Sequence, residues 1–190
     1  MFALLLLALA FLPMAFEARL AARHDRALRS AGASEPRDDV FPLMRLAYPA
    51  AFLAMAFAAQ MRGARVNGVW AAGLVVFLLA KAIKYWAIAT LGPRWTFRVL
   101  VPPASTLIAT GPYRFMRHPN YVGVMGELAG MGIMAQAPIS GALSVVVFGL
   151  IIVARIRVEE RALGMTTSAA LQEAGRSAEL RQTPRRPGPS

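Results

Sequence analysis

From Gly111 to Glu127 the chain reads GPYRFMRHPNYVGVMGE, which gathers one of its two histidines with two arginines, two tyrosines and an acid at the start of an apolar run. A residue before proline avoids helical backbone, and proline suits the first position of a helix, so His118 before Pro119 predicts a helix mouth. The free N–H groups of such a mouth attract anions. The imidazole and these N–H groups are then expected to face the same space. Asn120, Gly123, Glu127 and Gly130 share one stripe of the helix that follows. Glu127 then lies two turns below the mouth, roughly 10 Å along the axis. An acid at that depth in a membrane is costly unless it is paired, protonated or facing a wet cavity, and by default it marks a functional site. His118 and Glu127 are therefore the catalytic candidates. The alternative for Glu127 is a pairing with Lys81 or Lys84 that only holds helices together.

A second charged cluster lies at Arg155-Ile156-Arg157-Val158-Glu159-Glu160-Arg161-Ala162-Leu163. Taken alone, its opposite charges three and four residues apart (Arg155 with Glu159, Arg157 with Glu160) predict a solvated, self-paired helix face. Its position suggests more. Tyr121–Gln136 and Pro138–Val153 are apolar runs separated almost only by Ala137-Pro138, a tight antiparallel hairpin that returns the cluster to the His118 mouth.

These elements belong to a membrane chain. Of 190 residues 57% are hydrophobic and 16% charged, too apolar and charge-poor for an ordinary soluble domain. Five apolar runs predict about five transmembrane helices: Met1–Phe16, Leu43–Met61, Asn67–Thr90 and the two of the hairpin. No Lys or Arg precedes the first run, as a signal peptide would require, so it is expected to be a retained span with its N-terminus outside. The net charge of +11 follows this topology rather than a nucleic-acid footprint. Sixteen arginines fall on one side, in the basic segment 17–42, the linker before His118 and the segment from Arg155 onward. Only Arg62 and Arg65 fall in the turns opposite. The bias makes the arginine-rich side cytoplasmic, in a bacterial-type inner membrane. Cysteine is absent, and two distant histidines give no His-rich cluster, so no metal site is expected.

The parts between spans are read as follows. Ala18–Ser30 has good helix formers and is expected as a separate solvated helix carrying a surface His24. Lys81 and Lys84 lie on one face of the third span, where snorkelling explains Lys84 easily and Lys81 with more strain. The linker Leu91–Arg117 is rich in proline and glycine. Trp95–Val101 within it could form a short strand, and its aromatics predict a lid hugging the interface. Residues 1–90 thus supply three spans, 91–163 a lid, two spans and the charged helix end, and 164–190 a polar tail that is expected to be disordered, with three prolines in Thr183–Ser190.

GPYRFMRHPNYVG, followed one hairpin later by RIRVEERAL, resembles the isoprenylcysteine carboxyl methyltransferase superfamily of membrane enzymes. The likeness covers Gly92 to Leu163. It is greatest to bacterial members acting on alkylresorcinols and alkylpyrones, on the LGPRWTFRV-like stretch and RHPNY followed by an acid. The resemblance implies an all-α membrane fold and S-adenosylmethionine bound at the cytoplasmic end of the last two spans. It also implies methyl transfer to an oxygen of an amphiphilic, lipid-like acceptor. Arg117 or Arg157 would then pair the donor's carboxylate. Glu159 or Glu160 would take its ammonium or ribose hydroxyls. Tyr113 and Tyr121 would stack on adenine or lie near the sulfonium, and His118 would bond the donor or act as base. Phospholipid N-methylation, an NADPH-dependent sterol-type reductase and a non-catalytic lipid-binding protein are the alternatives, and oligomeric state is open. Against the reductase, Val124 follows Gly123 where those proteins commonly carry an acid.

Overall fold

The computed structural model describes residues 1–103 and 108–182, with side chains through 164. Five helices follow in order: α1 (Phe2–Ser30), α2 (Phe41–Met61), α3 (Gly68–Leu91), α4 (Pro119–Met134) and α5 (Pro138–Gln182). Among the described residues there is no strand, only one isolated bridge between Ser34 and Val101. The protein is an all-α membrane protein. Helices α1, α2, α3 and α5 are long and apolar enough to cross a bilayer. Helix α4 has 16 residues, about 24 Å at the α-helical rise, short of the roughly 30 Å hydrocarbon core. The expectation of about five spans thus resolves into four long helices around a short fifth.

Helix α4 can be short because it is enclosed. Nine of its residues are buried, including Leu128, Met131 and Met134, which join Leu6, Phe52 and Phe77 in the core. Glycines bring α4 and α3 into backbone contact, an arrangement that compensates for the lack of a hydrophobic driving force between helices in lipid. A Cβ on Gly130 would lie 2.6 Å from the Phe77 amide nitrogen, and one on Gly73 2.4 Å from that of Met134. One on Gly123 would meet the Lys84 side chain at 2.8 Å. These contacts fix α3 and α4 antiparallel, with Lys84 level with Gly123. At the far end Gln136, in the left-handed region at φ 51°, donates to the Arg65 carbonyl at 2.6 Å. Asn67 caps α3 by accepting from the Trp70 amide at 3.0 Å.

Helix α1 corrects one expectation. It runs unbroken through Phe16 and on to Ser30, so the first span and the basic helix are one element. Glu17, assigned from its polarity to a solvated segment, is 1% exposed inside the bundle. No glycine or proline interrupts Phe16 to Ser30, and the helix continues on propensity while its sides change character. The strand expected at Trp95–Val101 does not form either. A 3₁₀ turn at Gly92–Arg94 leads into irregular chain that bends at residues 97–98, and the bridge of Ser34 with Val101 has no neighbouring strand among the described residues to extend it. Helix α5 continues past Leu163 to Gln182 where a tail was expected. Thr183–Ser190 lie outside the described residues.

Candidate functional site

His118 caps α4 in non-helical backbone (φ −130°, ψ 59°) with Pro119 at the first helical position. Its ring stacks on Tyr121, centroids 5.5 Å apart and planes at 22°. The hairpin delivers the end of α5 to the same place. His118 Nε2 lies 3.3 Å from Glu160 Oε1, and Nδ1 4.0 Å from Glu159 Oε2. The Tyr121 hydroxyl donates to Glu159 Oε2 at 2.7 Å, and Arg117 stands 3.8 Å from Glu160. A cavity of about 790 Å³ opens over this group. Tyr113, Arg117, His118, Tyr121, Glu159 and Glu160 all line it, together with Arg94, Trp95, Thr96 and Asn120. Burial, with the Glu159 charge adding to it, pushes the Tyr113 phenol well above the ordinary tyrosine value, so it stays a protonated donor.

Two candidates fall elsewhere. Arg157 is exposed and not on the cavity wall, its carbonyl accepting from Arg161 at 3.2 Å. Glu127 is 1% exposed and lies off both cavities. The self-paired reading of the α5 cluster is also corrected. Arg155 turns away from Glu159 and pairs with Asp39, while donating to the Phe97 carbonyl at 2.7 Å and the Tyr121 hydroxyl at 3.3 Å. At 4% exposure it sits under the lid, where Asp39 is the carboxylate within reach. Glu159 and Glu160 are thereby left to His118, Tyr121 and Arg117.

The lid is fastened from below. Trp95 is 2% exposed, and its indole N–H donates to Asn120 Oδ1 at 3.3 Å. His24, expected on the surface, is half-buried with Nδ1 2.7 Å from the Trp95 carbonyl and its ring edge-on to the indole. Asp39 accepts from the Val99 amide at 3.0 Å, and Arg98 donates to Glu35 at 2.7 Å.

Below the mouth lies a second polar group. Lys81 Nζ is 2.9 Å from Glu17 Oε1 and 3.0 Å from Glu127 Oε2. Lys84 Nζ is 2.6 Å from Glu17 Oε2 and 3.2 Å from Glu127 Oε1. The Tyr48 hydroxyl donates to Glu127 Oε2 at 2.5 Å. One side chain each from α1, α2 and α4 thus meets two from α3. Of the states open to Glu127, the structure shows the paired one. Glu17, Lys84 and Tyr48 also line a smaller cavity of about 210 Å³. Trp95, Thr96, Asn120, Tyr121 and Arg155 line both cavities and so form a shared wall.

Sequence reasoning passed over Glu17, Asp39 and Tyr48 as members of these groups, and it placed Trp95 in the lid and Asn120 on the Glu127 stripe without giving either a partner. Lys81 and Lys84 held a signal for Glu17, since two cations on one face within an apolar helix call for more than one counter-ion.

Residues 72–165 match the isoprenylcysteine carboxyl methyltransferase (ICMT) family. The matched segment begins in α3 and takes in the lid, the His118 mouth and the α5 acids, and it supports a membrane methyltransferase. The chain is also 28% identical to the uncharacterized protein YpbQ of Bacillus subtilis over 84% of its own length and 95% of the relative. An uncharacterized protein of Haemophilus influenzae is 27% identical over 74% of this chain and 83% of the relative. The cobalt-zinc-cadmium resistance protein CzcN of Cupriavidus metallidurans is 31% identical over 52% of this chain and 45% of the relative. No solved structure matches.

Proposed function

We propose that this protein transfers a methyl group from S-adenosylmethionine to an oxygen of a lipid-like acceptor, at the cytoplasmic face of the inner membrane. The observation that carries the proposal is the wall of the 790 Å³ cavity, where two acids, four arginines, a histidine and two tyrosines converge. That volume lies in the range of small-molecule sites, about 300–1,000 Å³. The donor is zwitterionic and carries an aromatic base and a ribose diol, and each has a counterpart there. Arg117 suits its carboxylate. Glu160 suits its ammonium and Glu159 its ribose hydroxyls. The stacked His118–Tyr121 pair and Tyr113 offer faces to the adenine and to the positive sulfur. When bound, the donor supplies an electrophilic methyl carbon. The protein supplies position: Trp95, Thr96, Asn120 and Tyr121 line both cavities and stand where donor and acceptor must come into contact for an in-line transfer. An O-methylated amphiphile such as a prenylated carboxylate or an alkylated phenol or enol fits a site opening between apolar helices.

Calorimetric titration of the detergent-purified protein with S-adenosylhomocysteine, and with NADPH in parallel, tests this. Micromolar binding of the former, lost in His118→Ala and Glu160→Ala, is expected. Binding of NADPH alone would favour the reductase, and binding of neither a non-catalytic protein.

A further inference from the structure

We propose that the outward face of α1 is a docking site for an anionic phospholipid, its phosphate held by Arg19, Arg23 and Arg26 and an acyl chain laid along Phe16 and Leu12. The inference does not depend on the methyltransferase reading.

The sequence builds the site as one stripe. Leu5, Leu12, Phe16, Arg19, Arg23 and Arg26 recur at helical intervals. They therefore share one face of a helix that runs unbroken from Phe2 to Ser30. The opposite face is the buried one, formed by Leu6, Ala10, Glu17, Ala21 and Leu28. Leu12 is 72% and Phe16 59% exposed, and Arg19, Arg23 and Arg26 are all exposed. The stripe changes character once, apolar up to Phe16 and basic from Arg19. In a membrane-spanning helix such a change marks the bilayer surface, with apolar side chains among acyl chains and cations among headgroups.

Charge names the ligand. Other arginines on this side are matched within the protein: Arg29 and Arg98 with Glu35, Arg155 with Asp39, Arg161 with Asp38. Arg19, Arg23 and Arg26 have no ion-pair partner among the described residues. The acids nearest them in sequence are engaged elsewhere, Glu17 by Lys81 and Lys84, and Asp25 by Arg98. Orientation in the membrane calls for arginines on this side, but not for a run of them on one face without an acid. At the helical rise the three cover about 10 Å, and their forked guanidiniums suit phosphate oxygens. A zwitterionic head would bring its own ammonium against them.

The frame is set before a lipid arrives. From the other sides of the same turns His24 Nδ1 lies 2.7 Å from the Trp95 carbonyl and Asp25 Oδ2 3.6 Å from Arg98 Nε. Holding the backbone this way lowers the cost of ordering on binding. The apolar half of the stripe selects a lipid over a nucleic acid, because a phosphate without chains leaves Phe16 and Leu12 unused.

Native mass spectrometry of the full-length protein in detergent, with phosphatidylglycerol and phosphatidylcholine at equal concentration, tests this. Wild type is expected to retain one phosphatidylglycerol, preferred over phosphatidylcholine by about tenfold or more. A basic residue near an anionic lipid surface is worth about fivefold. Arg19→Gln/Arg23→Gln/Arg26→Gln should therefore lose the preference. Arg23→Gln alone should lose about fivefold and covers the case in which the triple variant fails to fold. Arg19→Lys/Arg23→Lys/Arg26→Lys should keep most of the preference, and Arg62→Gln/Arg65→Gln, at the other end of the bundle, all of it. Equal retention of the two lipids by wild type, or a preference kept in the glutamine variants, overturns the inference. Displacement of the lipid by an equal concentration of glycerol phosphate or of a short oligonucleotide also overturns it, since the site would then be one for soluble phosphates.

Discussion

Arg155 grips Asp39 across 116 residues of sequence and in the same reach bonds the Phe97 carbonyl and the Tyr121 hydroxyl. One guanidinium therefore ties the charged end of α5 to the lid and to the wall between the two cavities. Tyr121 and Glu159 owe their positions to it, because the hydroxyl that accepts from Arg155 is the one that donates to Glu159.

Removing one half of this pair should be costly. Asp39→Ala strands a buried cation, and breaking a buried ion pair costs about 3–5 kcal/mol. Thermal unfolding in detergent should show a clear loss for Asp39→Ala and for Arg155→Ala. Replacing both by apolar residues of similar size should recover most of the stability while weakening S-adenosylhomocysteine binding.

The rim should behave differently. Glu160 is half-exposed beside His118 and Arg117, so Glu160→Gln should leave unfolding unchanged. A hydrogen bond to a charged group is worth about 1.5–3 kcal/mol, or roughly ten- to hundredfold in affinity. Calorimetry should find that loss for Glu160→Gln, and none for Arg157→Ala, whose side chain is off the cavity.

The glycine contacts give a steric test. In Gly130→Ala the new methyl meets the Phe77 backbone at 2.6 Å, which cannot yield as a flexible side chain would. A loss of about 1–3 kcal/mol is expected, read as a lower unfolding temperature. Gly149→Ala is the control, its methyl reaching only the end of the Met125 side chain at 3.4 Å.

Acid should loosen the lid through Glu35. Burial works to raise its carboxyl, but hydrogen bonds from Arg29 and Arg98 outweigh it and hold Glu35 below the ordinary carboxylate value. A lowered native value means the contribution is complete above the unfolded carboxylate midpoint, about 4.3, and is lost as pH falls through the native one. The hydrogen-exchange protection of the Val99 amide, corrected for the intrinsic rate at each pH, should therefore fall below pH 4. In Glu35→Gln it should already be lower at neutral pH.

The legible parts of this molecule were those written in local pattern. His118-Pro119 announced a helix mouth, and the near-absence of a loop at Ala137-Pro138 announced a hairpin, so the meeting of His118 with Glu159 and Glu160 followed from sequence. What stayed hidden depended on partners distant in the chain. Glu17 reads as the first polar residue after an apolar run, and only the continuation of α1 and its contact with α3 reveal that it faces inward. Asp39 lies in a loop whose sequence says turn, yet its partner is on α5. For Arg155 the local rule favoured Glu159 one turn on, and a buried tertiary carboxylate won because the side chain had no water to compete for it.

The enclosure of α4 has a consequence for how the protein meets bilayers of different thickness. A helix in contact with lipid answers mismatch by tilting or by deforming the membrane around it. Here the lipid-facing work falls to the four long helices, while α4 is clasped along its length by α3 through Gly123, Gly126 and Gly130. Because His118 and Glu127 are both on α4 and Lys84 is on α3, their spacing is set by backbone contact between two helices. A thicker or thinner membrane can tilt the bundle as a body without changing the depth of the lysine–carboxylate cluster beneath the mouth.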